Sequence, residues 1–356
     1  MAKLTSPRVT VSFTELGISA ITRGDKGTVA VIVRDAADVP PFSITQASQT
    51  PTTLGKENQD YIKRTFLGYV TPPKKVIVYV MGTDGALADA LDYMAAQVFD
   101  YIVGPADCTK EEAADIASWV KSQRLNNGAK YKAVLPNHKA DNYAIVNFTG
   151  DAMTDGATVW ATAAYCSRIA GLLAGTPMKI AATYAPLPEL SDCARLTKEE
   201  SDEAVGAGEL ALRWDGRKVK LDRAVTSLVT TSQGMLDSFK KIKIVEIMDL
   251  IRTDITATAE DEYVGKYANS YDNKMLLVAA VRGYFMGLEQ SDLVQPGYTV
   301  DIDVDKQEQF LVSKGVNTEE MTEQQLREAD TGSHVFLLVR CKILDAIEDI
   351  DINVEI

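Results

Sequence analysis

The strongest constraint on the fold is an alternation of strand and helix patterns between residues 76 and 135. Val76–Met81 is a continuous apolar run, and Phe99–Val103 and Tyr131–Leu135 repeat that character, with a helical pattern before each of them. The second helical pattern opens with Thr109–Glu112, a capping box in which Thr and Glu satisfy free backbone N–H groups. Parallel strands need long crossovers, which are usually helices. The sequence therefore predicts a central parallel-type α/β layer.

The remainder of the chain predicts an α/β and α+β multidomain protein built around this layer. Leu210–Trp214 and Lys218–Leu221 flank Asp215-Gly216, a turn pair typical of a β-hairpin, which forms a small β insert. Farther along, two helices (Ser238–Thr253 and Lys274–Leu288) and two strands (Tyr298–Val304 and Val335–Leu344) are predicted. The predicted domains are an N-terminal strand arm (1–20), a small β-rich domain (21–74), the central α/β domain (75–230), a C-terminal α+β domain (231–345) and a C-terminal strand arm (346–356).

Both ends of the chain alternate between apolar and polar residues with a period of two. The apolar members are Val9, Val11 and Phe13 at one end and Ile350, Ile352, Val354 and Ile356 at the other. This period predicts half-buried strands, and a terminal strand can pair with another chain through its main-chain groups. Pairing within the same domain is the alternative, in which acidic residues protect an edge strand from aggregation.

Composition excludes several classes of partner. The net charge is -13, from 37 basic and 50 acidic residues, and this balance argues against nucleic acid, whose phosphates need Lys/Arg clusters. No apolar run approaches the length of a membrane span, and Met1–Phe13 lacks the apolar core of a secretory signal. The four cysteines form no C-x-x-C pair. We therefore expect a cytoplasmic protein with reduced thiols and no membrane binding of its own.

Candidate catalytic, cofactor and metal motifs are incomplete. Gly206–Ala211 matches a dinucleotide fingerprint but leads into a predicted hairpin and not into a helix. Asp301, Asp303 and Asp305 resemble the start of a calcium loop that lacks the required Gly at its sixth position. The Gly82–Gly85 turn is the best candidate for the alternative function, a soluble α/β enzyme with an unrecognised site. No catalytic residue, cofactor or metal is predicted.

Three segments in the second half of the chain carry motifs of one known family. Ala170–Pro177 reads AGLLAGTP and is similar to the AG-x-x-AGTP segment of that family, the contractile phage tail sheath proteins. Residues 210–230 resemble its hairpin and G-V-N-S-L-T-T stretch, with Ala224 and Thr226 in place of Gly and Asn. Residues 243–269 resemble its R-x-x-D-x-I … Y-I-G-K-x-x-N region. The first 70 residues match in general character only.

The resemblance implies a structural subunit, not an enzyme. Such subunits polymerise around an inner tail tube and contract to drive the tube through a target cell envelope. The arms, here Leu4–Phe13 and Ile347–Ile356, pair with neighbouring subunits, while the C-terminal domain faces the tube. The candidate hinges are Gly17 and Asp345, and the candidate tube-facing residues are Lys240, Lys241 and Lys243.

The resemblance also implies partners and a place of assembly. The partners are further copies of the chain, the tail tube protein, and the baseplate and tail-terminator proteins. Assembly takes place in the host bacterial cytoplasm, followed by release as part of a phage tail or of an R-type bacteriocin such as diffocin. The sheath of a secretion machine is a further alternative, and it normally requires a second sheath protein.

Overall fold

The computed structural model describes residues 26–355. The predicted N-terminal arm (Val9, Val11 and Phe13), the predicted hinge Gly17 and the last residue, Ile356, lie outside the described residues. The described chain divides into two compact units. The sheet unit comprises residues 26–253, 291–295 and 343–355, and the small unit comprises residues 254–290 and 296–342.

The described elements alternate between helices and strands from residue 56 to residue 136 and form short runs of one kind after that. The strands are β1 (Thr28–Arg34), β2 (Phe42–Ile44), β3 (Lys75–Met81), β4 (Tyr101–Val103), β5 (Lys132–Pro136), β6 (Ile145–Phe148), β7 (Met153–Thr154), β8 (Val159–Trp160), β9 (Glu209–Leu210), β10 (Leu212–Trp214), β11 (Val219–Leu221), β12 (Thr299–Ile302) and β13 (Leu337–Arg340). The helices are α1 (Lys56–Thr65), α2 (Leu87–Ala95), α3 (Lys110–Asn126), α4 (Thr162–Ala174), α5 (Lys198–Gly206), α6 (Ile242–Thr258), α7 (Tyr271–Gln290), α8 (Val304–Ser313) and α9 (Glu323–Glu328).

A seven-stranded sheet in the order β2-β3-β1-β4-β5-β6-β9 forms the centre of the sheet unit. β1 pairs in parallel with β3 along its whole length, from Thr28 opposite Lys75 to Arg34 opposite Met81, and with β4 on its other side. β2 joins β3 antiparallel, whereas β4, β5, β6 and β9 continue the sheet in parallel. The predicted parallel α/β layer is confirmed, because strands covered on both faces appear in sequence as continuous apolar runs.

The first two strands differ from their predicted place. The sequence pattern assigns residues 21–74 to a separate β-rich domain, whereas β1 lies in the middle of the seven-stranded sheet and β2 forms its edge. The same stretch contains the helix α1, which packs against α4. A period-two pattern identifies a strand but not the strand beside which it will lie, and β3 follows β1 only after a long crossover.

Two apolar clusters cover the two faces of the sheet. One lies under α1 and α4 and includes Tyr61, Phe148 and Ile169, whereas the other lies under α2 and α3 and includes Met94 and Ile116. Each fully buried side chain of this size contributes about 1.5–3 kcal/mol relative to an exposed one. The predicted capping box is present at the start of α3, where Thr109 accepts a hydrogen bond from the N–H of Glu112.

Buried ion pairs hold the first part of α6 in the sheet unit. Asp249 on α6 receives Arg124 Nη2 at 2.6 Å and Lys132 Nζ at 3.0 Å. One helical turn earlier, Glu246 receives Lys26 Nζ at 2.6 Å and accepts a hydrogen bond from the Tyr101 hydroxyl. Burial alone raises the pKa of the Asp249 carboxyl, but Lys132 and Arg124 outweigh it, so the net pKa lies below the usual value. These charges are paired, as buried charges must be.

Two further local differences from the sequence prediction have the same cause, a helix cap. Residues 198–206 form α5, a helix that we did not predict and that begins with a capping box between its N-cap, Thr197, and Glu200. In the small unit, the predicted strand Tyr298–Val304 ends at Ile302, because the Asp303 side chain accepts the N–H of Lys306 and starts α8. The hairpin predicted near residues 210–221 is formed by β10 and β11.

The small unit contains α7, α8, α9 and a two-stranded antiparallel sheet of β12 and β13. Asp301 of the incomplete calcium motif forms an ion pair with Arg327 Nη1 at 2.5 Å, so its carboxylate is used inside the unit. None of the helices in residues 26–355 combines the length with the apolar character that a membrane crossing requires.

Candidate functional site

The predicted site residues in the described chain lie at two places in the sheet unit. Three lysines flank the start of α6: Lys240 ends a short 3-10 turn, Lys241 follows it and Lys243 lies in the first helical turn. The second place is the segment after β13, which contains the predicted hinge Asp345. A helix start carries free N–H groups and the positive end of the helix dipole, so it favours carboxylates nearby.

Backbone pairing attaches the C-terminal segment only at its beginning. Ile343 forms a bridge with Val294, and the N–H of Leu344 donates to the carbonyl of Leu293 at 2.8 Å. Within the part of the chain that the structure describes, residues 345–355 form no backbone hydrogen bond with another segment. Whatever holds the chain beyond Leu344 must therefore be a side-chain interaction.

Ionic side chains provide that interaction. Lys241 Nζ lies 2.5 Å from Asp345 Oδ2 and 2.9 Å from Glu348 Oε2. Thr183 Oγ1 donates to Glu348 Oε1 at 2.5 Å, and Arg223 forms an ion pair with Asp349. We call this group the C-terminal clamp; its members are Thr183, Arg223, Lys241, Asp345, Glu348 and Asp349. The structure thus brings together Lys241 and Asp345, for which the resemblance implies separate roles.

Glu348 is the central carboxylate of the C-terminal clamp. Its side chain is only 5% exposed, and the Thr183 hydroxyl and Lys241 satisfy its two oxygens, with Arg223 Nε 3.7 Å from Oε2. Burial lowers the pKa of the Lys241 ammonium, but hydrogen bonds and charge from Asp345 and Glu348 outweigh burial and raise the net pKa. A carboxylate in this position is stable because it is paired; an isolated one would be costly.

The other two predicted tube-facing lysines have different surroundings. Lys240 pairs with Asp237 at 3.0 Å and is partly exposed. Lys243 is only 6% exposed, and burial lowers the pKa of its ammonium although Asp345 and Glu348 attract it. No described carboxylate lies within ion-pair distance of Lys243. It lines a cavity of about 480 Å³ together with residues 344–348.

Beyond the clamp, the chain presents apolar side chains to solvent. Ile350 is 71% exposed, Ile352 is 79% and Val354 is 72%, with Asp351 and Asn353 between them. Residues 346–355 belong to no strand in the described chain. Contiguous exposed apolar side chains mark interaction surfaces. The alternation predicted as a strand is therefore present in the sequence without a partner inside the described chain.

The sequence did not identify Thr183, Arg223 or Glu348 as site residues. They are far apart along the chain, with 165 positions between Thr183 and Glu348, so no local pattern joins them. A usable signal was the run 345–349, which holds three carboxylates and no base, because such a run requires cations from elsewhere when it is held against a protein surface.

The alternative enzyme site has a simple local structure. In the turn Gly82–Gly85, the N–H of Gly85 donates to the carbonyl of Gly82 at 2.9 Å, so the turn closes on itself. A Cβ at Gly85 would lie 3.0 Å from the N of Gly82, and that close approach explains the glycine there. The backbone hydrogen bond and the close approach therefore explain both the conformation of this turn and its glycine at position 85.

Comparisons with known proteins agree on one family. Models of the phage tail sheath protein central domain and the phage tail sheath C-terminal domain match residues 58–227 and 237–356. The chain is 37% identical over 352 residues to the tail sheath protein of Clostridium phage phiCD119, with 98% of each chain covered.

Two solved structures have a similar fold. The sheath tail protein of Desulfitobacterium hafniense is similar with a TM-score of 0.69 at 16% identity, over 83% of this chain and 94% of that one. The anti-feeding prophage helical sheath in its contracted state is similar with a TM-score of 0.70 at 13% identity, over 99% of each chain. At these identities the likeness concerns the fold.

Proposed function

Because the chain belongs to the phage tail sheath family and is a structural subunit of a contractile tail, not an enzyme, we propose that it polymerises with copies of itself around a tail tube. The observation that carries this proposal is the exposed alternation Ile350, Ile352 and Val354, which has no strand partner in the described chain. A contact between this segment and a different surface of another copy is heterologous, and repeated heterologous contacts build rings or helical filaments.

Within the predicted C-terminal arm (346–356), residues 350–356 add as a strand to a neighbouring copy. Strand addition gains affinity from main-chain hydrogen bonds and specificity from alternate side chains, a pattern that fits apolar residues at every second position. The acidic residues between them stay at the solvent side of such a strand. The N-terminal arm, with Val9, Val11 and Phe13 and the hinge Gly17, acts in the same way at the other end.

The sheet of β12 and β13 is the acceptor. β13 pairs on one side with β12, and among the described strands none occupies its other edge. Arg340, the last residue of β13, and Lys342, two residues farther along, are exposed, and their positive charge complements the acidic arm. A two-stranded sheet is marginally stable on its own, so a third strand from another copy stabilises the acceptor as well as the contact.

Contraction is then a rigid-body rearrangement of linked subunits, with the extended state held kinetically. In this proposal the arms maintain the links, and residues 231–345 face the tube. Lys240 is the candidate contact with an acidic tube, while Lys241 belongs to the clamp. The baseplate and tail-terminator proteins bind the two ends of the polymer, and assembly takes place in the host bacterial cytoplasm.

Electron microscopy of two chains tests the proposal. The full-length chain is expected to form tubes or stacked rings in negative stain, and a variant ending at Asp349, which keeps the whole clamp, is expected to remain a small particle. As a matched control, Val98→Ser with Leu125→Ser removes exposed apolar groups elsewhere and should leave the tubes intact.

Each other outcome contradicts a part of the proposal. Tubes formed by the shortened chain would show that residues 350–356 are not the donor strand. Small particles from the full-length chain, even with tube protein added, would contradict self-assembly itself. Circular dichroism of the shortened chain establishes that its core is still folded.

A further inference from the structure

We propose that the C-terminal clamp fixes residues 345–349 to the sheet unit and releases them when the arm is pulled. The clamp thereby sets how many residues of the C-terminal arm are unattached. The closed clamp is a property of a single chain. Its consequence for a tail rests on the proposed function.

Two kinds of attachment follow one another along the chain. Up to Leu344 the segment is held by backbone pairing to Leu293 and Val294. From Asp345 to Asp349 it is held by the clamp, whose three donor residues come from three separate places in the sheet unit. When the clamp is closed, the chain is therefore unattached to the sheet unit from Ile350 onward. When the clamp is open, it is unattached from Asp345 onward.

Apolar packing contributes little to the closed state. Ile347, the large apolar side chain of the clamped segment, is 86% exposed and faces solvent. The segment consequently depends on charge, in contrast to the cores of the sheet unit. Apart from Glu348, whose side chain is nearly buried, the charged groups of the clamp are partly exposed. Such ion pairs contribute little each and are weakened by salt, so they yield before a strand ladder whose hydrogen bonds share the load.

Release provides a defined length. Five residues in extended conformation span about 17 Å at most, at roughly 3.3–3.6 Å per residue. The free arm lengthens by this amount without breaking its strand pairing with the neighbour. A neighbouring subunit can therefore move by a comparable distance while the link between the two copies stays intact.

Lys243 favours closing of the clamp again. Its buried ammonium has no ion-pair partner among the described residues, lines the cavity beneath residues 344–348 and is attracted by Asp345 and Glu348. An open clamp leaves the charges of Lys241 and Lys243, which repel each other, without the carboxylates of Asp345 and Glu348. Like charges in that position repel, which favours return of the acidic segment.

Mobility of the clamped segment is the direct test. A spin label is placed at Ile347→Cys in a Cys108→Ser, Cys341→Ser background, and its spectrum is recorded for the dilute full-length chain in low and high salt. Raising salt from about 0.01 M to about 1 M shortens the screening length from roughly 30 Å to roughly 3 Å. We expect a restricted label in low salt and a mobile one in high salt.

Two variants distinguish release of the clamp from any other effect of salt on the mobility of the label. Lys241→Met with Arg223→Met should give a mobile label at both salt concentrations, while Lys240→Met, which removes only the pair with Asp237, should behave like the parent chain. A label whose mobility depends neither on salt nor on Lys241 and Arg223 would overturn the proposal.

Assembly is scored separately, so that the two proposals fail independently. The Lys241→Met, Arg223→Met chain should still form tubes, because its arm and acceptor are intact. Loss of tubes in this variant alone would mean that the clamp is required for polymerisation. It would contradict the proposal that the clamp only adds length to the unattached arm. Loss of tubes in the parent chain as well would contradict the proposed function but leave the mobility result standing.

Discussion

At the scale of single residues, buried charge decides how α6 is held. Asp249 is paired with Lys132 and Arg124 inside the sheet unit, and all three side chains are nearly inaccessible. A buried pair adds little over a well-packed apolar replacement, but removal of one partner leaves an uncompensated charge and costs about 3–5 kcal/mol. The arrangement therefore penalises any change that separates α6 from the sheet.

The depressed pKa of Asp249 makes its contribution depend on pH. The folded carboxyl has a lower pKa than the unfolded one, so its stabilisation is complete above the unfolded value of about 4 and is lost as the pH falls through the folded value. We expect Asp249→Asn to lower the free energy of unfolding by about 3–5 kcal/mol at pH 7. In urea titrations the difference from the parent chain should stay constant from pH 7 to 5 and shrink below about pH 4.

An exposed carboxylate provides the matched control for this titration. Asp92→Asn on α2 should change the free energy of unfolding by less than about 0.5 kcal/mol throughout the pH range. A difference between Asp249→Asn and the parent chain that persists unchanged at acid pH would show that ionisation of Asp249 does not contribute.

At the scale of elements, the close approach of α4 to neighbouring backbone fixes the packing of one face of the sheet. A Cβ added at Gly171 would lie 1.9 Å from the carbonyl oxygen of Thr65, and one at Gly175 would lie 2.0 Å from that of Thr71. Both glycines belong to Ala170–Pro177, the segment that resembles the sheath family. At Gly171 and Gly175 the neighbouring backbone therefore leaves no room for a side chain.

Alanine substitutions at two helical glycines should have opposite effects. Gly171→Ala forces α4 away from α1 and is expected to destabilise the sheet unit by about 1–3 kcal/mol or more, because overpacking strains both helices. Gly287→Ala in α7, with no atom within 4 Å of the added Cβ, should stabilise by up to about 1 kcal/mol through helix propensity. Thermal unfolding of both variants checks the pair; equal effects would contradict the close approach.

Local patterns predicted the elements but not their neighbours. The capping box at Thr109 and the apolar run at Val76–Met81 are contained in a few residues, so the sequence revealed them. The placement of β1 beside β3, and of Glu348 beside Thr183, depends on residues far apart in the chain. For the same reason the sequence identified Lys241 and Asp345 as site residues but not as partners of each other.

At the scale of the whole molecule, the proposed donor and acceptor surfaces are different parts of one chain. In the proposed polymer each copy gives an arm to one neighbour and receives an arm from another. A subunit that has lost residues 350–356 can still receive an arm but gives none. It therefore removes one link wherever it enters the polymer.

Mixed assembly should reveal this asymmetry. Adding the variant that ends at Asp349 to full-length chain is expected to shorten the tubes progressively as its fraction rises, because each incorporated copy leaves a broken link. Tube lengths are measured in negative stain, with the Val98→Ser, Leu125→Ser chain as the control that should leave them unchanged. Unaltered lengths at an equal ratio would contradict donation by the C-terminal arm.

The carboxylates between the exposed apolar residues of the C-terminal arm also govern the behaviour of free subunits. Asp351 and Glu355 give every unpaired arm the same negative charge, so two free arms repel one another until an acceptor with cations is available. If the arm acts as proposed, the colloidal stability of free subunits depends on the same few residues that direct their ordered growth.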